Sequence, residues 1–207
     1  MRLELICLSD FVPFQLWDVD TGECLQVFRG HYHQIYAVAF DGERVATGSL
    51  DSTVRVWSAQ TGECLALLQG HTSLVGQLQL TNDVLVTGGS DGRVIIFSLS
   101  TFECLHRLCA HDNSVTCLQF DDRFIVSGGN DGRVKLWDLR TGAFIRELSK
   151  PCEAVWRVTF KEDKCVVLCK RGGKTVMEVS PSLVPVPLNP CHVSGADLIV
   201  LLRSSRS

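Results

Sequence analysis

The feature that most constrains this chain is a repeat of 40 residues that three kinds of residue share. The pairs Gly30-His31, Gly70-His71 and Ala110-His111 lie 40 residues apart. The same spacing separates the aromatic residues Trp17, Trp57, Phe97 and Trp137, and it separates the carboxylates Asp51, Asp91 and Asp131. A period of this length predicts a stack of small supersecondary units, because each unit must bury its apolar face against the next one.

Residues 30–69 form the clearest repeat unit. Strand-like stretches at 35–40, 44–48, 54–57 and 64–69 are rich in apolar and β-branched residues, and Asp51-Ser52 and Thr61-Gly62 mark turns. Gly-His and Trp-Asp pairs at this period are typical of WD-repeat blades. The sequence therefore predicts an all-β fold, a partial WD-repeat β-propeller. Three full four-stranded blades are expected at 30–69, 70–109 and 110–149, with two incomplete ones beside them.

Incomplete units flank the three regular ones. Residues 1–29 predict an incomplete N-terminal blade with strands at 14–19 and 24–28. Residues 150–180 predict a degenerate last blade, and 181–207 a Pro-rich irregular tail with at most an edge strand at 197–202. Propellers usually have about 4–8 blades, and WD-repeat propellers most often about seven or eight. Seven blades of this length need about 280 residues, and the chain has 207, so we expect a C-terminal piece of a larger protein or an abnormal gene product. Its unpaired strand edges should then cause self-association.

Composition argues against several classes of protein. The net charge of -3 disfavours a nucleic-acid partner, and no apolar run is long enough to cross a membrane. The ten cysteines lack zinc-ligand spacing, and Cys24, Cys64 and Cys104 occupy one place in successive units, where they should not bridge. We therefore expect free thiols in the cytoplasm or nucleus, with no metal and no cofactor.

A His, a hydroxyl residue, an Asp and a Trp recur within the units. The sets are His31, Thr47, Asp51 and Trp57; His71, Thr87 and Asp91, with Phe97 in place of Trp; and His111, Ser127, Asp131 and Trp137. The first three residue types also make a hydrolase triad. An active site, however, does not normally recur three times along a chain at a fixed spacing. We interpret the sets as buried hydrogen-bond networks that fix blade geometry, and we expect no enzyme.

Residues 14–179 resemble the F-box and WD-repeat proteins. The resemblance rests on TGECL at 21–25, VRVW at 54–57, VTCLQF at 115–120 and VKLWDL at 134–139, while TGAFIR at 141–146 and VWRV at 155–158 are similar to the last two blades of that family. It implies a substrate receptor of SCF ubiquitin ligases, whose propeller binds phosphorylated peptides through arginines and aromatic residues. Ligase subunits would bind through an F-box, which is missing from 1–207.

The resemblance also implies a ligand-binding rim where each inner strand begins. The equivalent positions, none of them basic, are Tyr36, Gly76, Thr116 and Trp156. Tyr36 matches an aromatic rim position and Arg157 a last-blade arginine, so Tyr36, Trp156 and Arg157 form the candidate phosphodegron site, with Tyr36 and Arg157 on one face. An arginine binds phosphate through two parallel hydrogen bonds. The alternative for Arg157 is a solvated rim arginine paired with Glu153 or Asp163.

Three functions compete on these grounds. The first is a protein-interaction module that recognises protein or phosphopeptide substrates for an SCF ligase. The second is a WD-repeat scaffold of another pathway that binds a peptide without ubiquitination. The third is a hydrolase built on a propeller, which would need a charged cluster around the channel that the sequence does not show.

Overall fold

A computed structural model describes residues 3–6, 14–81, 83–180, 183 and 199–201, with 3–6 and 199–201 described by their backbone alone. These residues form strands and contain no α-helix, so the predicted all-β fold class is confirmed. The strands make five antiparallel sheets, one of three strands and four of four strands. Within the described part of the chain, no helix has the length and apolar character needed to cross a membrane.

The chain divides into two compact units, Met1–Leu108 and Cys109–Ser207. The first unit contains blades 1 to 3, each of which follows chain order. Blade 1 consists of β1 (Leu3–Ile6), β2 (Phe14–Asp18) and β3 (Cys24–Phe28). Blade 2 consists of β4 (Ile35–Phe40), β5 (Arg44–Ser49), β6 (Val54–Ser58) and β7 (Cys64–Leu68). Blade 3 consists of β8 (Val75–Thr81), β9 (Val84–Gly89), β10 (Arg93–Ser98) and β11 (Cys104–Cys109).

The second unit contains blades 4 and 5, built in the same order. Blade 4 consists of β12 (Val115–Phe120), β13 (Phe124–Gly129), β14 (Val134–Asp138) and β15 (Phe144–Glu147). Blade 5 consists of β16 (Ala154–Lys161), β17 (Lys164–Arg171), β18 (Lys174–Ser180) and β19 (Ile199–Leu201).

Tight turns join successive strands within blades 2 and 4, and they join β9 to β10 and β10 to β11 in blade 3. Gly92 and Gly132 have φ angles of 74° and 77°, in the left-handed region that suits glycine, and Ser52 adopts the same conformation in blade 2 with φ 63°. Each blade therefore has two ends. In blades 2 to 5 we call the upper end the one at which the first strand starts and the second strand stops, and the lower end the opposite one. In blade 1, β2 and β3 correspond by the 40-residue repeat to β6 and β7, so the turn 18–23 lies at the lower end.

Aromatic and aliphatic side chains join the blades of the first unit. The stacked rings of Phe14 and Phe28 in blade 1 lie edge-on to Trp57 of blade 2, with centroids 5.6 and 5.7 Å away. Ala46 and Val56 of blade 2 belong to one buried cluster with Val75 and other apolar residues of blade 3. Full burial of each such side chain stabilises the fold by about 1.5–3 kcal/mol. The hydrophobic core of this unit therefore lies between neighbouring blades.

The second unit has its own core. Cys117, Val126 and Leu136 of blade 4 pack with Val158 and Val167 of blade 5. Every one of these side chains is buried, because each sheet offers one apolar face to its neighbour. The core of this unit therefore depends on contact between two sheets, as in the first unit.

The flanks of the chain contain more structure than the sequence predicted. Blade 1 has a third strand, β1, which pairs with β2 although no repeat residue marks it. Ile199–Leu201 pairs with β18 and is the edge strand that the sequence left open. Leu183 is buried and its N–H donates to the Asp163 carbonyl at 2.6 Å. By the repeat a turn aspartate is expected at position 11, where the chain has Phe11 with Asp10 beside it. Residues 7–13 and the remaining tail residues lie outside the described part.

Candidate functional site

A chain of hydrogen bonds runs through blade 2. Nδ1 of His31 lies 2.8 Å from Oδ2 of Asp51, and Nε2 of His31 lies 2.8 Å from Oγ1 of Thr47. The Trp57 indole N–H donates to the same hydroxyl at 2.9 Å. Asp51 also accepts the backbone N–H of Thr53 at 2.9 Å, which holds the turn into β6. The four residues therefore tie the upper turns to the middle of the sheet.

Blades 3 and 4 repeat this arrangement with one difference. His71 bonds Asp91 at 3.0 Å and Thr87 at 2.8 Å, but Phe97 provides no N–H for the hydroxyl. In blade 4 the complete set returns: His111 lies 3.0 Å from Asp131 and 2.9 Å from Ser127, and Trp137 donates to Ser127 at 3.0 Å.

Burial determines the protonation of these networks. It lowers the pKa of His31, His71 and His111, and the attraction of the neighbouring aspartates only partly opposes this effect. Burial acts to raise the pKa of Asp51, but hydrogen bonds from Thr53 and His31 outweigh it and hold the pKa at about 2. At neutral pH each imidazole is thus neutral, with its Nδ1–H donated to an ionised aspartate and its Nε2 accepting a hydroxyl proton.

The hydroxyl groups of the networks are closed to solvent. Thr47, Thr87 and Ser127 have no exposed surface. A nucleophile must reach the substrate atom that it attacks. These buried hydroxyls are placed instead to link the strands and turns within each blade. The described residues also contain no group of three or more His, Cys, Asp or Glu side chains that could hold a metal ion.

A β-bulge marks the start of the first strand in blades 2 to 5. The register skips one residue in β4, β8, β12 and β16, and the skipped residues are Tyr36, Gly76, Thr116 and Trp156. These are the rim positions that the family resemblance indicates. A bulge leaves its extra residue out of the ladder and changes the direction of the side chain. The geometry therefore singles out these positions, for which the sequence alone offered only the resemblance.

In the first unit, the upper end exposes aromatic surface. Tyr36 is 56% exposed and Tyr32 is 77% exposed. A wide, shallow groove of about 530 Å³ opens between the upper turns of blades 2 and 3. Its lining combines aromatic, aliphatic and hydroxyl groups, and consists of Tyr32, His33, Leu50, Asp51, Ser52, Thr72, Ser73 and Leu74.

In the second unit, Trp156 and Arg157 are consecutive and exposed, with Trp156 47% exposed. Glu153 pairs with Lys170 at 3.3 Å and accepts the N–H of Gly173 at 2.9 Å. Among the described residues, Arg157 forms neither the ion pair with Glu153 nor the one with Asp163 that the sequence allows. Tyr36 and Arg157 belong to separate units, and their placement on one face stays a prediction.

Four-stranded sheets in chain order, with buried His–Asp networks that recur at a fixed period inside blades 2 to 4, define a class of repeat protein. Residues 22–58, 62–98 and 102–138 match the family described as WD domain, G-beta repeat. The matched segments make up more than half of the chain, so the chain belongs to the WD40 repeat family. Proteins of this family are generally non-catalytic interaction modules that bind proteins or peptides.

Solved structures with the same fold are also similar in sequence. The computationally designed Ika4 protein is 33% identical with a TM-score of 0.70, and the match covers 76% of this chain and 97% of Ika4. The computationally designed Ika8 protein is 31% identical with a TM-score of 0.76, over 85% of this chain and 57% of Ika8. The chain thus spans little more than half the length of Ika8. No curated protein matches the chain significantly.

Proposed function

We propose that this chain is the substrate-recognition part of a receptor of the F-box and WD-repeat type, and that it binds phosphorylated peptides for an SCF ubiquitin ligase. The family membership supports an interaction module. The finer assignment rests on the resemblance of 14–179 and on the rim residues at the upper ends of the blades. In this role an F-box outside residues 1–207 would bind the ligase core, and the protein would work in the cytoplasm or nucleus.

The observation that carries the proposal is the exposed pair Trp156 and Arg157. Its neighbours Lys170 and Arg171 are engaged by Glu153 and Glu178, whereas Arg157 has no ion pair with a described residue. A free guanidinium can offer two parallel N–H donors to a phosphate. An exposed indole beside it can pack against the peptide, as aromatic anchors do at interfaces.

Tyr36 supplies the corresponding aromatic group on the first unit. Tyr36 is exposed and is itself the bulge residue of β4, at the same repeat position as Trp156 in β16. A peptide that contacts it gains apolar area and a phenol that can donate or accept a hydrogen bond. We therefore assign peptide contact to Tyr36 and Trp156, and phosphate contact to Arg157.

The test is a titration of the chain with a labelled phosphoserine peptide and its unphosphorylated form, followed by fluorescence anisotropy. The phosphorylated form should bind more tightly, and Arg157→Ala should remove most of that difference, about tenfold or more in Kd. The matched control is Arg133→Ala, because Arg133 is also exposed in the second unit but is already paired with Glu147 at 2.5 Å. Equal losses for the two variants would contradict the assignment.

The alternative is a WD-repeat scaffold that binds an unmodified peptide without ubiquitination. The groove of hydroxyl and apolar side chains near Tyr32 and Leu50 favours it, because this lining contains no basic residue for a phosphate other than His33. In the same titration this alternative predicts equal affinity for the two peptides. It also predicts a loss of binding on Leu50→Asp and none on Arg157→Ala.

A further inference from the structure

The lower end of the first unit differs sharply in charge from its upper end. Residues 18–23, 41–43, 58–63, 81, 83 and 98–103 lie at the lower ends of blades 1 to 3, and they include no Lys, Arg or His. They carry the carboxylates Asp18, Asp20, Glu23, Asp41, Glu43, Glu63, Asp83 and Glu103. Arg44, at the start of β5, offsets part of this charge, because its Nε lies 3.0 Å from Asp41 and its guanidinium lies 3.9 Å from Asp83. The field at this end is therefore negative.

A groove opens into this acidic end between blades 1 and 2. It has a volume of about 680 Å³, and we call it the lower groove. Leu16 and Phe40 form part of its floor, and Leu25 of β3 and Leu65 of β7 stand on its walls with 39% and 43% of their surface exposed. Exposed leucines that flank a concave surface favour contact with another apolar group.

The walls of the lower groove are fixed in place. The Gln26 side-chain amide of β3 donates to the Gln60 carbonyl in the turn before β7 at 2.6 Å. This bond joins the two blades beside the leucines. Glu43 lines the groove and is exposed, and its carboxylate forms no ion pair with a described residue. Arg44 lines the groove as well, with its Nε 3.0 Å from Asp41. The groove thus combines an apolar interior with a rim that carries the Glu43 carboxylate beside this ion pair.

We propose that the lower groove docks a basic amphipathic segment of another protein. Its apolar side chains would lie between Leu25 and Leu65, and its Lys or Arg side chains would face Glu43 and the neighbouring lower turns. Charge complementarity selects this occupant, since like charges across an interface weaken binding. The same field repels nucleic acid and anionic membranes. This surface is separate from the upper rim. It favours a positively charged ligand, whereas a phosphopeptide is negatively charged.

The probe is a labelled 14-residue synthetic peptide of leucine and lysine with the leucines on one helical face, compared with the same peptide carrying glutamate for lysine. Anisotropy titrations of the full chain should give binding of the lysine peptide about tenfold or more tighter than of the glutamate peptide. The affinity for the lysine peptide should fall with added salt, because exposed charges are screened. Equal binding of both peptides would overturn the proposal.

Substitutions locate the binding surface. Leu65→Asp and, separately, Leu25→Asp should each weaken binding of the lysine peptide about tenfold, and Glu43→Lys should weaken it while improving binding of the glutamate peptide. Leu105→Asp is the matched control, since Leu105 is the same repeat residue on β11, is 49% exposed and does not line the groove. Circular dichroism checks that each variant is folded. If Leu105→Asp weakens binding of the lysine peptide as much as Leu25→Asp and Leu65→Asp do, the lower groove is not the binding site.

Discussion

The side chain of Val155 lies directly against the α-carbon of Gly128 in the second unit. A β-carbon added at Gly128 would come 2.7 Å from Cγ1 of Val155 and 2.6 Å from Sγ of Cys117. Gly128 is therefore the point at which blade 5 approaches the backbone of blade 4. A methyl group there must push two buried side chains apart, and close-packed interiors tolerate such a change poorly.

This contact gives the first prediction. Gly128→Ala should lower the free energy of unfolding by about 1–3 kcal/mol, the usual cost of overpacking. Urea denaturation followed by tryptophan fluorescence measures it. Gly76→Ala is the control, because nothing lies within 4 Å of a β-carbon at that glycine. A midpoint for Gly128→Ala as high as that of the control would show that blades 4 and 5 pack less closely than the distances at Gly128 indicate.

The aspartate of a complete network should matter more than an aspartate in an ordinary turn. Asp131 bonds His111 at 3.0 Å and accepts the backbone N–H groups of Asp112 and Arg133. Asp131→Ala leaves these donors without their acceptor and should cost about 1–3 kcal/mol. Asp163→Ala is the comparison, since Asp163 is exposed and uses its backbone carbonyl to accept from Leu183. Similar denaturation midpoints for the two variants would contradict the structural role of the network.

Blade 3 lacks the tryptophan N–H, because Phe97 stands at the repeat position of Trp57 and Trp137. There the Thr87 hydroxyl lies 3.2 Å from the Ile95 carbonyl and contacts His71, while Phe97 fills the apolar space. Trp57→Phe should give blade 2 the same arrangement and cost about 1–2 kcal/mol through one lost hydrogen bond and a small void. Trp156→Phe serves as the control because Trp156 is exposed. Calorimetric melting of both variants should show a lower Tm for Trp57→Phe alone.

The repeat allowed the sequence to predict the regular part of the fold. The strands of blades 2 to 4 fall inside 30–69, 70–109 and 110–149, because the turn residues and the apolar pattern recur together. β1 was not predicted, because its four residues LELI carry no repeat marker and pair with β2 only in the folded sheet. A short strand of this kind depends on its partner more than on its own sequence.

The candidate site was predicted less completely. The spacing indicated which residues form the His–Asp networks, but the bulges at Tyr36 and Trp156 depend on pairing register, which no spacing shows. The lower groove was missed because Leu25 and Leu65 look like ordinary strand residues until the two blades lie side by side.

The last prediction concerns pH. Burial lowers the pKa of His31, His71 and His111 in the folded chain below the ordinary value of 6.5. The unfolded chain therefore binds protons more readily than the folded chain does, so the contribution of these histidines to stability is complete above pH 6.5 and is lost as the pH falls toward their folded-state pKa values. Asp51 is protonated only at lower pH, because its pKa is held at about 2.

We expect the urea midpoint to fall steadily as the pH is lowered from about 7.5 to about 5, since each buried imidazole must then accept a charge without full hydration. Measurements of the midpoint at several pH values test this expectation. His111→Gln is the informative variant, because it removes one titrating group and should make the dependence on pH shallower even though it also lowers stability at neutral pH. A midpoint that stays constant or rises on acidification would show that the histidines are protonated in the folded chain, as partners of Asp51, Asp91 and Asp131 in charged pairs.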